Sequence, residues 1–107
     1  MSEALTGRSI LVAEDEYFLA TDLNRELRRA GATVGGPVAS VERAMALIES
    51  APRIDGAILD INLGGEMAFP VADALRARGV PFVFATGYDQ ATIPPRFFDV
   101  VRCEKAN

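Results

Sequence analysis

The stretch SILVAEDE, residues 9–16, joins a short apolar run to three consecutive acidic residues. A nearly continuous apolar run of this length is typical of a strand that is buried on both faces of a parallel sheet. The next segment, Tyr17–Ala30, places Leu19, Leu23 and Leu27 at i, i+4 and i+8. This spacing puts the three leucines on one face and predicts an amphipathic helix. The chain therefore starts with a strand, an acidic junction and a helix.

The same alternation continues along the rest of the chain. The later segments that fit a strand or a helix are the strands Thr33–Val38, Gly56–Asp60, Phe82–Ala85 and Asp99–Cys103, a helix after Ser40, a helix over Pro70–Arg78, and a short or irregular helix over Tyr88–Arg96. Because crossovers between parallel strands are right-handed, the alternation predicts an α/β fold with a doubly wound, five-stranded parallel sheet. Residues 62–65 are expected to form a loop.

Length and charge limit the classes of function. The 107 residues fit one domain, residues 1–107, and 11 basic against 15 acidic residues give a net charge of −4. An acidic chain without a basic run disfavours direct binding of nucleic acid. The longest apolar stretches are too short to span a membrane, and the N-terminus does not resemble a signal peptide. These features predict a cytoplasmic protein.

Histidine is absent from the chain and cysteine occurs once, at Cys103. A histidine-ligated zinc site and the Ser-His and Cys-His catalytic pairs are therefore excluded. A single cysteine cannot form an intramolecular disulfide, and we expect Cys103 to be a buried residue of the last strand. The remaining chemistry is that of carboxylates.

Polar side chains follow the predicted strands where each strand ends. These are Glu14 and Asp15 after the first strand, Asp60 after the third, Thr86 after the fourth and Lys105 after the fifth. In doubly wound sheets the functional crevice lies at this edge, and a dinucleotide site would have glycines after the first strand instead of acids. Three clustered carboxylates repel one another by roughly 3 kcal/mol per pair at about 5 Å, so they favour a hard cation such as Mg²⁺ or Mn²⁺. Acid, cation, lysine and hydroxyl together suit phosphoryl transfer onto a carboxylate.

With these residues the chain resembles the receiver domain of bacterial two-component response regulators. The matching positions span nearly the whole chain and occur in the family's order. The resemblance implies the flavodoxin-like strand order 2-1-3-4-5. The runs Asp60-Ile61-Asn62-Leu63 and Phe84-Ala85-Thr86-Gly87-Tyr88 are similar to a subgroup with an F-A-T-G-Y type fourth strand. Such receivers are often served by HWE-type histidine kinases.

The resemblance implies a role for each acid. Asp60 would be the phosphoacceptor, taking its phosphoryl group from a separate sensor histidine kinase. Asp15, Asp60 and the backbone carbonyl of Asn62 would bind Mg²⁺ directly, and Glu14 would act through water. The protein would then be a signalling module and not an enzyme in the ordinary sense.

The resemblance also implies a switch. Lys105 would pair with Asp60 and then with the phosphoryl group, and Thr86 would move to hydrogen-bond that group. Tyr88 would take the role of the switch aromatic, because Arg102 stands where the family usually has an aromatic residue. Ala106 replaces the proline that usually follows the lysine. Such a device is a two-state element biased by a new local charge.

A further departure lies in the loop after the phosphoacceptor. The common pattern has a proline four residues after the aspartate, and Gly64 occupies that place. Glycine has more backbone freedom than proline, so we expect this loop to be more mobile.

Two other functions compete with the receiver interpretation. One is a pseudo-receiver that serves only as a protein-interaction surface. The other is a phosphatase with an aspartyl-phosphate intermediate, such as a haloacid-dehalogenase-like enzyme. Those enzymes place D-x-D after the first strand and usually carry a cap domain, and neither is visible in this sequence.

The C-terminus predicts an incompletely covered sheet. A complete receiver continues into a fifth helix, whereas this chain ends two residues after Lys105. The helix would share a face with the first helix, so its absence should expose apolar sheet surface. We expect a truncated chain or a partner that covers the gap, with a homodimer as one form of that partner.

Overall fold

The computed structural model describes residues 4–86 and 93–104. Its elements, in chain order, are β1 Ser9–Ala13, α1 Tyr17–Arg29, β2 Thr33–Val38, α2 Val41–Ser50, β3 Gly56–Asp60, β4 Asn62–Leu63, β5 Glu66–Met67, α3 Phe69–Ala77, β6 Phe82–Thr86, a 3₁₀ turn Pro95–Phe97 and β7 Arg102–Glu104. None of the helices in this described part of the chain is long and apolar enough to cross a membrane.

Five of the strands form one open parallel sheet in the order β2-β1-β3-β6-β7. This is the predicted 2-1-3-4-5 order, because the two short strands β4 and β5 pair only with each other. The predicted doubly wound α/β fold is confirmed. Its consequence for function is that β1, β3 and β6 are neighbours, so their carboxyl ends lie side by side at one edge of the sheet.

Local signals in the sequence set the helix ends. The hydroxyl of Ser40 accepts a hydrogen bond from the Arg43 N–H at 3.1 Å and caps α2. Gly31 follows α1 with φ +97°, and a Cβ there would lie 2.5 Å from the Thr6 hydroxyl oxygen. A larger residue would therefore be both strained and obstructed at this turn.

The main core lies between the sheet and helices α2 and α3. Four phenylalanine rings form its centre, with edge-to-face and stacked pairs whose centroids are 5.6–6.3 Å apart. Phe84 of β6 and Phe97 of the 3₁₀ turn are completely buried. Such aromatic pairs add stabilisation beyond the area that they bury. The cluster fixes β6 and residues 95–97 against α3.

The face of the sheet that carries α1 is covered less completely. Leu19, Leu23 and Leu27 are only half-buried, and Ala20 is the one buried residue of the helix. Beside Leu27 an apolar groove of about 440 Å³ runs over the sheet, lined among others by Ile58 of β3. Val83 and Val101 also line it.

Three expectations about the chain after β3 were wrong. Residues 62–67 form a two-stranded antiparallel ribbon and not a loop, with Asn62 paired to Met67. The last strand begins at Arg102 and not at Asp99, because the chain turns before it and the Val100 N–H donates to Phe97 O at 3.0 Å. Cys103 is exposed and not buried, since β7 forms the edge of the sheet.

Candidate functional site

Three carboxylates meet at the carboxyl edge of the sheet. Glu14 and Asp15 follow β1, and Asp60 ends β3, its neighbour in the sheet. Ala13 and Leu59 are partners in the register of these two strands, so the next residue of each strand lies at the same level. One oxygen atom from each of the three carboxylates lies within 4.8 Å of the others. The structure thus brings together the acids that the sequence placed at the strand ends.

Two of these acids are shielded from water. Glu14 and Asp60 are each 2% exposed, whereas the Asp15 side chain is exposed. At this separation, two carboxylates repel each other by roughly 3 kcal/mol even with an effective dielectric of 20. Hard divalent cations prefer carboxylate oxygens, and a cation at this point would offset the repulsion. The residues present therefore fit Mg²⁺ or Mn²⁺ in charge and in ligand type.

A backbone N–H fixes each carboxylate. Glu16 N–H donates to Glu14 Oε2 at 3.0 Å, and Asn62 N–H donates to Asp60 Oδ1 at 3.2 Å. Gly64 N–H donates to Asp15 Oδ2 at 3.0 Å. The Asp15 bond comes from a turn 49 residues away in sequence, whereas the other two are local. Hydrogen bonds to an ionised acceptor are stronger than neutral ones, so these contacts orient the acids.

Asn62 has a structural function in this turn. Its side-chain carbonyl oxygen accepts a hydrogen bond from Gly65 N–H at 3.0 Å. The side chain is therefore used to close the turn between β4 and β5. A role for the backbone carbonyl of Asn62 as a metal ligand stays a prediction.

The structure describes only part of the predicted switch. Ala85 of β6 pairs with Asp60, so the backbone of Thr86 follows at the same edge of the sheet. Tyr88 and Lys105 lie outside the described residues, and so does Ala106. The roles predicted for Thr86, Tyr88 and Lys105 stay predictions.

Two features of the site escaped the sequence analysis. The first is the contact of Gly64 with Asp15, which no local sequence pattern predicts because it joins distant parts of the chain. The second is a hollow of about 290 Å³ beside the acids, lined by Glu14, Asp15, Tyr17 and Pro37 among others. The sequence of α1 contains one indication of this hollow, because Tyr17 and its neighbour Phe18 do not lie on the helix face of the leucines. Their side chains are 73% and 77% exposed.

Comparisons with known proteins agree with this architecture. The chain is similar to SdrG from Sphingomonas melonis Fr1, with 44% identity and a TM-score of 0.81 over 94% of this chain and 85% of that chain. A structure of the BeF₃-activated conformation of SdrG, attributed to Pseudomonas melonis Fr1, matches with 44% identity and a TM-score of 0.75 over 92% and 84%. No protein-family model and no curated protein sequence matches the chain.

Two more distant structures have the same fold. A response regulator receiver protein from Sinorhizobium medicae WSM419 is 28% identical, with a TM-score of 0.78 over 95% of this chain and 85% of that chain. A chain in the complex of histidine kinase ThkA with response regulator protein TrrA is 22% identical and has a TM-score of 0.74 over 92% and 86%. At that identity the second match supports the fold alone. From the sheet order, the acidic edge and the likeness to SdrG over most of both chains, the protein belongs to the family of response regulator receiver domains.

Proposed function

We propose that this receiver accepts a phosphoryl group on Asp60 from a sensor histidine kinase and passes the signal on through its surface. The observation that carries the proposal is the carboxylate cluster, in which Glu14, Asp15 and Asp60 offer oxygens within 4.8 Å of one another. A cluster that is largely buried and strongly repulsive favours a cation and a reactive anion over a merely solvated acidic surface.

In this proposal the acids have different roles in binding the cation. Asp15, Asp60 and the backbone carbonyl of Asn62 would hold Mg²⁺ or Mn²⁺, and Glu14 would act through water. When bound, the cation supplies the positive charge that neutralises the acids and the oxygens of an arriving phosphoryl group. The Asn62 N–H, at 3.2 Å from Asp60 Oδ1, helps to hold the acceptor carboxylate in one orientation.

The transfer itself needs no histidine in this chain. A carboxylate oxygen of Asp60 attacks the phosphorus of a phosphohistidine, a P–O bond forms, and the P–N bond breaks. The imidazole of the donor leaves and takes up a proton. The chain has no histidine, so the phosphohistidine lies outside these 107 residues.

The switch is the next part of the proposal. Thr86 would hydrogen-bond the phosphoryl oxygens, Lys105 would pair with them, and Tyr88 would reorient with Thr86. The backbone position of Thr86, next to the strand partner of Asp60, supports this assignment. BeF₃ is a mimic of a phosphoryl group, and the existence of a BeF₃-activated conformation of SdrG supports the same kind of switching here.

For the donor we propose a sensor histidine kinase, with the HWE type as the first class to test. The complex of ThkA with TrrA shows that a response regulator of this fold engages a histidine kinase. In this chain, Tyr17 and Phe18 at the start of α1 are the exposed aromatic side chains nearest in sequence to the acids, within the described residues. Buried aromatic anchors dominate the energy of many protein interfaces, so this pair suits a docking surface.

We also propose that a second copy of the chain covers the apolar groove beside α1. Val101 is 63% exposed at the groove and Phe98 is 48% exposed just before it, so apolar surface extends to the edge strand β7. A two-fold interface places the same patch on both sides, and an apolar patch is complementary to itself.

The test of the phosphoacceptor is chemical. The protein is incubated with Mg²⁺ and acetyl phosphate, and phosphate that is stable in acid but labile in base is measured. We expect one phosphoryl group per chain in the wild type. The modification should be absent in Asp60→Asn and absent when EDTA removes the Mg²⁺. It should be unchanged in the control Asp99→Asn, which alters an exposed acid at the opposite edge of the sheet. No modification with Mg²⁺ would favour the pseudo-receiver, and multiple turnover of small phosphoesters would favour a phosphatase.

A further inference from the structure

The turn between β4 and β5 reaches across the edge of the sheet to the acidic cluster. Gly64 N–H donates to Asp15 Oδ2 at 3.0 Å. Asp15 is the exposed member of the three acids, and it lies at the junction of β1 and α1. This hydrogen bond connects the exposed acid to a different element of the fold.

Several hydrogen bonds anchor this turn, and the greater mobility expected for it from glycine in place of proline stays a prediction. Asn62 pairs with Met67, and Leu63, which is completely buried, pairs with Glu66. The Ala68 N–H donates to Ile61 O at 2.7 Å and closes the base of the ribbon. Together with the bond from Gly65 N–H to the Asn62 side chain, these contacts hold the Gly64 amide in place.

Only a residue with both an N–H and a left-handed backbone can make this contact without strain. Gly64 has φ +63°, and a Cβ there would lie 3.0 Å from Ala39 O. Proline, the residue of the usual receiver pattern at this position, has no N–H and has φ fixed near −65°. The replacement of proline by glycine thus provides a hydrogen-bond donor to the acidic cluster.

From this geometry we propose that Gly64 is a positioning residue for the cation site, acting through Asp15. Its N–H holds one oxygen of the exposed carboxylate, so that the acid does not have to be ordered when a cation arrives. Preorganisation of a ligand group raises affinity because less conformational freedom is lost on binding. The proposal rests on the proposed function, in which Asp15 is a metal ligand, and it adds a residue that touches neither metal nor phosphoryl group.

The experiment removes the N–H alone. A semisynthetic chain with an ester in place of the amide at Gly64 keeps the glycine and its φ but lacks the donor. Mn²⁺ is used as the probe, and its dissociation constant is measured by electron paramagnetic resonance without any phosphodonor. We expect an affinity at least tenfold lower than that of the all-amide chain, as for the loss of one hydrogen bond to a charged group.

A matched control comes from Gly79, which also has a positive φ, +72°, and whose N–H donates to Arg76 O at 3.0 Å at the end of α3. An ester there removes one backbone hydrogen bond far from the acids. It should lower the melting temperature by a similar amount and leave the Mn²⁺ affinity within twofold of the unmodified chain. This comparison separates a positioning role from a general loss of stability.

A double-mutant cycle with Asp15→Ala, which removes the hydrogen-bond acceptor, completes the test. If Gly64 acts through the carboxylate, the ester should have little further effect on Mn²⁺ affinity once the Asp15 carboxylate is absent. An unchanged Mn²⁺ affinity in the Gly64 ester, or equal effects of the ester with and without the Asp15 carboxylate, would overturn the inference. As long as the wild-type chain binds Mn²⁺, such a result leaves the proposed function intact. Failure of the wild-type chain to bind Mn²⁺ would overturn both.

Discussion

At the scale of single residues, the most unusual pair is Glu14 and Asp60. Both are 2% exposed, and they belong to one cluster of carboxylates. Burial removes the water that would otherwise screen their repulsion. The repulsion between the two carboxylates is therefore weakly screened, and a bound cation or the removal of a charge would relieve it.

This repulsion leads to a prediction about stability. We expect Glu14→Gln to raise the melting temperature by several degrees in EDTA, since relief of about 1 kcal/mol shifts a domain of this size by roughly 4–8 °C. Mg²⁺ should stabilise the wild type more than the variant, because a ligand that binds the folded state more tightly stabilises it more. Scanning fluorimetry with an external dye measures both effects, with Glu49→Gln, an exposed position of α2, as control. A lower melting temperature of Glu14→Gln in EDTA would contradict the prediction.

The sequence was sufficient for the positions of the acids but not for all of their contacts. Glu14, Asp15 and Asp60 follow apolar runs, and the topology of parallel strands brings such ends together. The Gly64 contact was not accessible, because it joins a backbone amide to a side chain 49 residues away. Cys103 was placed wrongly because an apolar pattern does not tell whether a strand is central or at the edge.

At the scale of elements, α3 and the 3₁₀ turn are held together by two crossed ion pairs. Arg96 of the turn contacts Asp73 of α3 at 2.9 Å, and Arg76 of α3 contacts Asp99 at 3.3 Å. Both guanidinium groups lie over the ring of Phe97, 4.6 Å and 5.2 Å from its centroid. The turn is thus fixed from its charged side as well as from the aromatic core.

The ion pair of Asp73 gives the stability a pH dependence. The hydrogen bond from Arg96 holds the pKa of the Asp73 carboxyl below its ordinary value of 3.8. The contribution is therefore present above about pH 4 and is lost as the pH falls through the lower pKa of the folded state. Asp73 is half-exposed, so we expect Asp73→Asn to cost at most about 1 kcal/mol at pH 6 and less near pH 3.

Urea unfolding of both chains at the two pH values checks this expectation. Asp22→Asn is a suitable control, because Asp22 also pairs with an arginine, Arg25, but within the exposed surface of α1. A cost of Asp73→Asn that stays the same from pH 6 to pH 3 would show that the carboxyl contributes by packing and not by its charge.

The start of α1 gives a prediction about the donor. The assay uses the phosphohistidine of a kinase that phosphorylates the wild type. We expect Phe18→Ala to lower the rate of phosphoryl transfer from this donor about tenfold, because an interface anchor is lost. The rate with acetyl phosphate should not change, because this small donor needs no docking surface. Radiolabelled transfer assays measure both rates, with Phe98→Ala as a control for an exposed phenylalanine elsewhere. Equal losses with both donors would indicate damage to the site itself.

Elements with a clear periodic spacing of apolar residues were predictable, and elements without such a spacing were not. The three helices and the first four strands of the sheet lie within a few residues of their predicted bounds, because apolar spacing and caps define them. The ribbon of β4 and β5 was missed, since two-residue strands carry no period. The start of β7 was misplaced because the apolar side chain of Val100 belongs to a turn that enters the core.

At the scale of the whole molecule, the sheet order determines where chemistry and surface lie. The alternation of strands and helices with right-handed crossovers predicted a doubly wound parallel sheet, and the resemblance to receivers predicted its strand order. The same order places the acids at the carboxyl edge and leaves the apolar groove on the face of α1. What covers that groove depends on groups outside the fold, which no internal pattern specifies.

The proposed second copy gives a prediction about assembly. We expect sedimentation equilibrium to show a dimer. Val101→Glu should raise the dissociation constant of this dimer at least tenfold, because a charge would be buried in an apolar interface. Ala46→Glu, at an exposed position of α2 on the other face, should leave the equilibrium unchanged. A monomer at all concentrations would contradict the proposal.

The hollow beside the acids also has a practical consequence. The chain contains no tryptophan and two tyrosines, so its ultraviolet emission comes mainly from phenol rings. One of them, Tyr17, lines that hollow next to Glu14 and Asp15. Carboxylates quench phenol emission, and a cation that engages them should change its intensity. The protein thus carries an unlabelled optical reporter beside its own acidic cluster, with a background of a single second tyrosine.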